Sequence, residues 1–513
     1  MVGITTLISR ITGLARDIIY LTAFGAGGQS FMDAFLVAYK IPNFLRRLFA
    51  EGSFSQSFVP VISEYKVQRQ QDEVRELVDG VTGTFGVVLF CITVLGVIIA
   101  PLIIFAFAPG WHAETDKFDL AVSMLRWTFP YLFFISLTAL FSGVLNSYGS
   151  FAIPAFTQVI MNVVMIVFAL FIATHTANPG VTLAVGVFVS GALQVGFQVP
   201  AVIKLGLFRR PRWRPKAEGV RRIGKLMIPG IIGSSMAQVS LLLDTQIASF
   251  LVAGSISWLY CADRVMEFPL GVFSIALATV ILPGLSRHHA AASMERFTAI
   301  LDWALRLVLL LVSPAAVAML AFAGPMTATL FGYRRFGAHD VDMASYALMA
   351  YSWGLIGFSL VKVLAPGYFA RQDTKTPVRV ALIAFATNMI LNVGVVLPAK
   401  YLGFPYPHIL LATSTCVSAA VNTALLWRGL VRSGIYQPLP GWGVLLLRIV
   451  FANGVMAALL VWLAGSTADW LAIPLLARVA KLGLCIVAAA VVYFVALFVS
   501  GMRMHHMRSG VGA

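Results

Sequence analysis

FMDAFLVAYKIPNFLRRLFAEGSFSQSFVP, Phe31 to Pro60, decides how this chain is read. Its composition is that of a membrane helix, yet it carries Asp33, Lys40, Arg46, Arg47 and Glu51 and is interrupted at Pro42. Asp33, Lys40 and Arg47 recur every seven residues and Glu51 follows four later, which makes one polar stripe on a helix. Proline at 42 removes a backbone hydrogen bond and predicts a kink there. Ionisable groups at membrane depth are costly and normally face a water-filled cavity or one another. The stretch therefore reads as a cavity-lining helix that holds cations inside a bilayer. The alternative is a helix end whose Lys and Arg reach up to the headgroups. Asp33 and Lys40 lie well before that end, which favours the cavity.

The rest of the composition agrees. Of 513 residues 59% are hydrophobic and 11% charged, with a mean hydropathy of +0.88. A soluble domain carries roughly 25% charged residues. This is the profile of an all-α polytopic membrane protein. The first apolar segment already contains Arg10, Arg16 and Asp17 and shows no small-residue cleavage site, so it is not read as a signal peptide. Cys91, Cys261, Cys416 and Cys485 lie in apolar segments without metal spacing and read as small buried hydrophobes. The net charge of +16 comes mostly from short loops, so positive-inside topology explains it better than nucleic-acid binding. The eight histidines fall in loops or at segment ends, leaving no intramembrane metal site. No phosphate-loop pattern and no external loop large enough for a catalytic domain is present, so the chain is not read as an enzyme.

Fourteen apolar windows are long enough to span a bilayer, the first near 3–24 and the last near 474–502. Successive connections alternate in charge, with 21 basic residues in one set against four (Lys117, Arg334, Arg335, Lys400) in the other. Both termini are expected in the cytoplasm. The chain also repeats itself. SLTALFSGVLNSYGSFAIPA from Ser136 and SLVKVLAPGYFARQDTKTPV from Ser359 stand 223 residues apart, and VPVIS and LPGLS keep that offset. A repeat in the same direction predicts two six-helix lobes with the substrate site between them. The expected divisions are an N-lobe over 1–206, a basic linker over 207–226, a C-lobe over 227–432 and two further spans over 433–513.

Each lobe places ions in its first two spans. Arg10 and Asp17 share a face of the first, with Arg16 beside them. In the second lobe Asp244 precedes Asp263, Arg264 and Glu267, and Lys362 follows in span 10. Cations exceed carboxylates by one over these positions, and forked guanidinium groups suit a phosphate-bearing ligand. Structural ion pairs locking helices together are the competing reading, stronger for the carboxylates than for Arg16, Arg46 and Arg264. Asn388 and Asn392, four apart, form with Asp244 either an oxygen-rich cation site or ordinary interhelical hydrogen bonds.

SRITGLARD (Ser9–Asp17), DAFLVAYKIPNFLRRLFAEGSFSQSFVP (Asp33–Pro60), YCADRVMEFPLGV (Tyr260–Val272) and KVLAPGYFARQDTKTPV (Lys362–Val378) resemble the MurJ (MviN) family of lipid II flippases. That family lies in the multidrug/oligosaccharidyl-lipid/polysaccharide exporter superfamily. The resemblance implies two six-helix lobes in a V plus two extra helices. It implies alternating access, and transfer of lipid II, the undecaprenyl-pyrophosphate-linked peptidoglycan precursor, from the cytoplasmic to the periplasmic leaflet of a bacterial inner membrane. Family cavity arginines match Arg10, Arg16, Arg46 and Arg264, with Lys40 at a basic position. Asp33, Glu51 and Glu267 match acidic positions; with Asp17, Arg47 and Asp263 they are expected in gating or ion pairs. The last two helices are implied to hold the lipid tail in an apolar groove. Sodium in the second lobe is implied for some relatives at positions matching Asp244, Asn388 and Asn392, though Asn392 replaces a carboxylate. A positive cavity would also respond to the membrane potential, at roughly 2.3 kcal/mol per charge per 100 mV. Membrane lipids and the cell-wall synthesis machinery are the implied neighbours. Fewer residues precede Ser9 than the family leads one to expect, which implies a short first helix or a misplaced start. The alternatives are a flippase for another polyprenyl-linked saccharide and a cation or drug antiporter of the same superfamily. An antiporter is expected to use a lone buried carboxylate, which fits poorly with these arginines.

Overall fold

A computed structural model describes residues 2–26, 31–46, 55–207, 210–290 and 293–502. Among them every regular element is helical. In a bilayer the backbone must satisfy itself within each segment, which helices do. Ten helical runs among the described residues are long and apolar enough to cross a membrane. The other four expected spans fall on helices that are shorter, broken or richer in polar residues: Val2–Phe24, Met32–Arg46, Glu218–Ser249 and the run from Ser255 to Ala290.

The chain packs into two compact units, Met1–Ser257 and Trp258–Ala513. The first contains α1 (Val2–Phe24), α2 (Met32–Arg46), α3 (Ser55–Gln68), α4 (Gln71–Ile98), α5 (Ala100–Phe107), α6 (Thr115–Thr128), α7 (Tyr131–Ser147), α8 (Ala152–Val167), α9 (Pro179–Lys204) and α10 (Glu218–Ser249). Here α1 packs on α8, α2 on α6, and α7 and α8 on α9. Helix α10 packs on α3, α4 and α5, so this division falls one helix later than the basic linker. Phe58, Val78, Phe141, Val144 and Ile223 share the core under that packing. Cys91 departs from expectation: it is exposed, because one face of α4 is apolar and turned outward.

Arg222 of α10 and Glu64 of α3 join these helices with two parallel bonds of 2.8 Å. Arg222 holds the Glu64 carboxyl below its ordinary value of 4.5. A carboxyl lowered in the folded state stabilises above its ordinary value, and that contribution fades as pH falls through the lowered one. The melting temperatures of the wild type and Arg222→Gln are therefore expected to differ slightly at neutral pH and to converge in acid, since exposed pairs are weak.

The second unit holds most of α11 (Ser255–Pro269), then α12 (Ala276–Ala290), α13 (Met294–Ala321), α14 (Ala323–Phe331), α15 (Ala338–Phe369), α16 (Lys375–Leu391), α17 (Leu397–Tyr401), α18 (Pro407–Arg432), α19 (Trp442–Ala464), α20 (Thr467–Ala472) and α21 (Leu475–Val499). Helix α15 packs on α13 and α18, while α19 packs on α13 and α21. Two anchors fix the last helices. Asp302 on α13 accepts from Tyr436 at 2.6 Å and Trp442 at 2.8 Å. Arg478 on α21 is buried and donates to the carbonyls of Ala328, Gly332, Leu471 and Ile473 at 2.8 to 3.2 Å, with Tyr333 under its guanidinium.

The duplication has a backbone counterpart. Helix α8 ends in a wide π-helical turn, Phe168–Ile172, and α16 in another, Asn392–Val396, starting 224 residues later. That is one residue from the offset between the repeated segments.

Candidate substrate-binding site

Helix α2 carries the charged stripe. Asp33 lies in its first turn and is buried. It accepts from the Gly254 N–H at 2.8 Å, the Ser257 N–H at 2.9 Å and the Ser257 hydroxyl at 2.6 Å. These donors open helix α11, so a carboxylate sits at the positive end of a helix dipole. Lys117 stands 3.5 Å from the same carboxylate and 4.5 Å above the Trp111 ring. Two turns on, Lys40 is exposed and donates to the Thr245 hydroxyl at 2.9 Å.

Helix α2 continues through Pro42 as far as Arg46. Asn43 donates to the Tyr39 carbonyl at 2.9 Å, and its amide oxygen receives Arg46 Nε at 3.2 Å. Arg46 is half-buried. Arg47 and Glu51 lie outside the described residues.

Arg16 is held more firmly than a waiting phosphate ligand need be. It is buried and directs Nε and Nη2 to one oxygen of Asp17, at 2.9 and 2.7 Å. Nη1 reaches Asn162 at 3.1 Å and the Tyr39 hydroxyl at 3.4 Å. Asn162 in turn donates to the Ser9 carbonyl and the Thr12 hydroxyl, each at 3.0 Å. The network joins α1, α2 and α8, and Asp17 is its counter-charge. Arg10, by contrast, is exposed on α1.

In the second unit, Arg264 pairs with Glu267 at 2.7 Å and lies 4.9 Å over the Tyr260 ring, all on α11. The pair is partly exposed, as the i,i+3 spacing in the sequence leads one to expect. Asp263 is half-buried and Lys362 exposed. Asp244 is half-buried in the first unit, whereas Asn388 and Asn392 are buried in the second. Asn392 receives the Ser414 hydroxyl from α18, an interhelical hydrogen bond of the kind weighed against a cation site. Between α19 and α21 runs a cavity of about 280 Å³ whose lining, including Phe451, Val455 and Val495, is entirely apolar. It has the chemistry of a hydrocarbon chain. Asn162 and Thr128 escape a reading of charge stripes because they are neutral, whereas Asp302, four residues before Arg306, and Arg478, three before Lys481, do carry a charge pattern that the sequence shows.

A family profile described as "Lipid II flippase MurJ" matches residues 21–481. The chain belongs to the MurJ family. A "Probable lipid II flippase MurJ" of Haemophilus influenzae is 42% identical over 98% of this chain and 99% of its own length. A "Lipid II flippase MurJ" of Burkholderia cenocepacia is 43% identical over 98% and 97%. A solved "Lipid II flippase MurJ, inward closed conformation" superposes with a TM-score of 0.79 at 25% identity, covering 97% of this chain and 98% of that one. An inward-facing multidrug resistance MATE family transporter reaches a TM-score of 0.62 at 15% identity over 83% and 95%, which speaks for the fold alone. MurJ membership makes this a multi-pass membrane protein of a transporter family with the MurJ/MATE-like fold.

Proposed function

We propose that this chain moves lipid II from the cytoplasmic to the periplasmic leaflet of the bacterial inner membrane, with both its termini in the cytoplasm. The observation that carries the reading is the match of nearly the whole chain to proteins named as lipid II flippases. The site chemistry supports it. Arg46, Arg264, Arg10 and Lys40 offer cations to a pyrophosphate, which guanidinium forks bind bidentately. Arg16 acts from behind them by fixing Tyr39 and α1. The hold of Asp33 on the first turn of α11 is a closure that outward release has to break, and the partly exposed Arg264–Glu267 pair exchanges partners between states. The groove of α19 and α21 takes the polyprenyl tail. Two alternating states re-expose the head group, and the membrane potential acting on cavity charge biases them. The enzymes that make lipid II and those that polymerise it are the neighbours this reading calls for.

Reconstitution tests the reading. Purified chain in liposomes carrying labelled lipid II should move the label between leaflets. It should leave a polyprenyl phosphate without the disaccharide–peptide head behind. Transfer no faster than in empty liposomes contradicts the proposal.

A further inference from the structure

Pro42 lies four residues after Ala38, so the Ala38 carbonyl has no helical N–H to accept. Ala38 is fully buried, and an unfilled buried carbonyl is costly. The missing donor comes from another helix. Thr128, fully buried in the last turn of α6, gives its hydroxyl proton to Ala38 O at 2.8 Å. A bond within its own helix, to Leu125 O, is longer at 3.4 Å. Two residues further on, Pro130 separates α6 from α7. One hydrogen bond therefore ties α2, at the carbonyl that Pro42 leaves open, to the end of α6 just before Pro130. The α6 side of the joint has little freedom: a Cβ placed on Gly96 of α4 would come within 2.0 Å of the Phe129 ring, so the two helices are in direct contact there. On one side of the joint α2 is fixed through Asp33; on the other it carries Asn43 and Arg46.

We infer that Thr128 is a positioning residue: it holds α2 at the carbonyl that Pro42 leaves open and so sets the direction of the half that bears Arg46. What that direction is for rests on the lipid II reading; that the bond holds it does not.

Two readouts keep these apart. Thr128→Val keeps the shape and loses the donor. Per inserted molecule it should move lipid II about tenfold more slowly, while Thr128→Ser, which keeps the donor, stays near wild type. Independently of transport, hydrogen exchange of the α2 amides from Asn43 to Arg46 should quicken in Thr128→Val. It should slow again in Thr128→Val with Pro42→Ala, because residue 42 then supplies its own N–H to Ala38. Wild-type transport by Thr128→Val, or equal failure of Thr128→Ser, removes the positioning role. Unchanged exchange in Thr128→Val overturns the joint itself. If the wild type does not move lipid II, the function reading fails, and the exchange arm still decides whether Thr128 holds α2 at Pro42.

Discussion

Arg264→Ala is expected to abolish lipid II transport while the protein still inserts, folds and melts as the wild type does. The two halves of that expectation come from one geometry. Arg264 pairs with a neighbour on its own helix, Glu267, and both side chains are partly exposed, at 29% and 45%. Such i,i+3 pairs contribute a few tenths of a kcal/mol. The fold therefore loses little when the guanidinium goes. A bidentate contact to a doubly charged pyrophosphate is a different matter, since charge-assisted forks are the strong hydrogen bonds. Arg264→Lys, a point charge without the fork, should recover transport only in part. Transport by Arg264→Ala at the wild-type rate, measured per inserted molecule, removes Arg264 from the mechanism.

Arg478→Ala is expected to act in the opposite way, through the fold. This guanidinium is 4% exposed and serves four carbonyls at the ends of α14 and α20. Among the described residues no carboxylate is among its partners, and its charge is met by carbonyl dipoles, as cations are at helix C-termini. Each orphaned buried acceptor costs about 1–3 kcal/mol. Losing several at once should lower stability by about 3 kcal/mol or more, enough to deplete the inserted protein. Lysine has too few fixed donors to reach four carbonyls, so Arg478→Lys should restore little. Thermal melting in detergent and the yield of inserted protein decide it. Unchanged melting would show that α21 docks without this anchor.

The contrast between these two arginines shows what the sequence makes legible. Apolar length and loop charge mark the helices, because the bilayer imposes both. The stripe through Asp33 and Lys40 is visible because ionisable groups stand out in an apolar run. The sequence does not show which charge is already satisfied. Arg16 and Arg264 look alike in their motifs, yet Asp17, Asn162 and Tyr39 enclose the first, while the second is partly exposed and meets Glu267 and Tyr260 of its own helix. Asn162 and Tyr39 are 146 and 23 positions from Arg16. The π-turn at Asn392 and the Thr128 donor are equally invisible, since both depend on which helix faces which. The linker at 207–226 marks a change of composition, whereas packing divides the chain after α10, because that helix lies against α3, α4 and α5.

The central claim is that this chain carries lipid II across the membrane in its own cell. It is tested most directly by depleting the protein and probing, with an enzyme confined to the periplasmic side, which leaflet holds lipid II. The account predicts that lipid II accumulates out of that enzyme's reach, that the wild-type gene restores access and that Arg264→Ala does not. Lipid II that remains fully accessible after depletion, in a cell with no second transporter for it, would contradict the account.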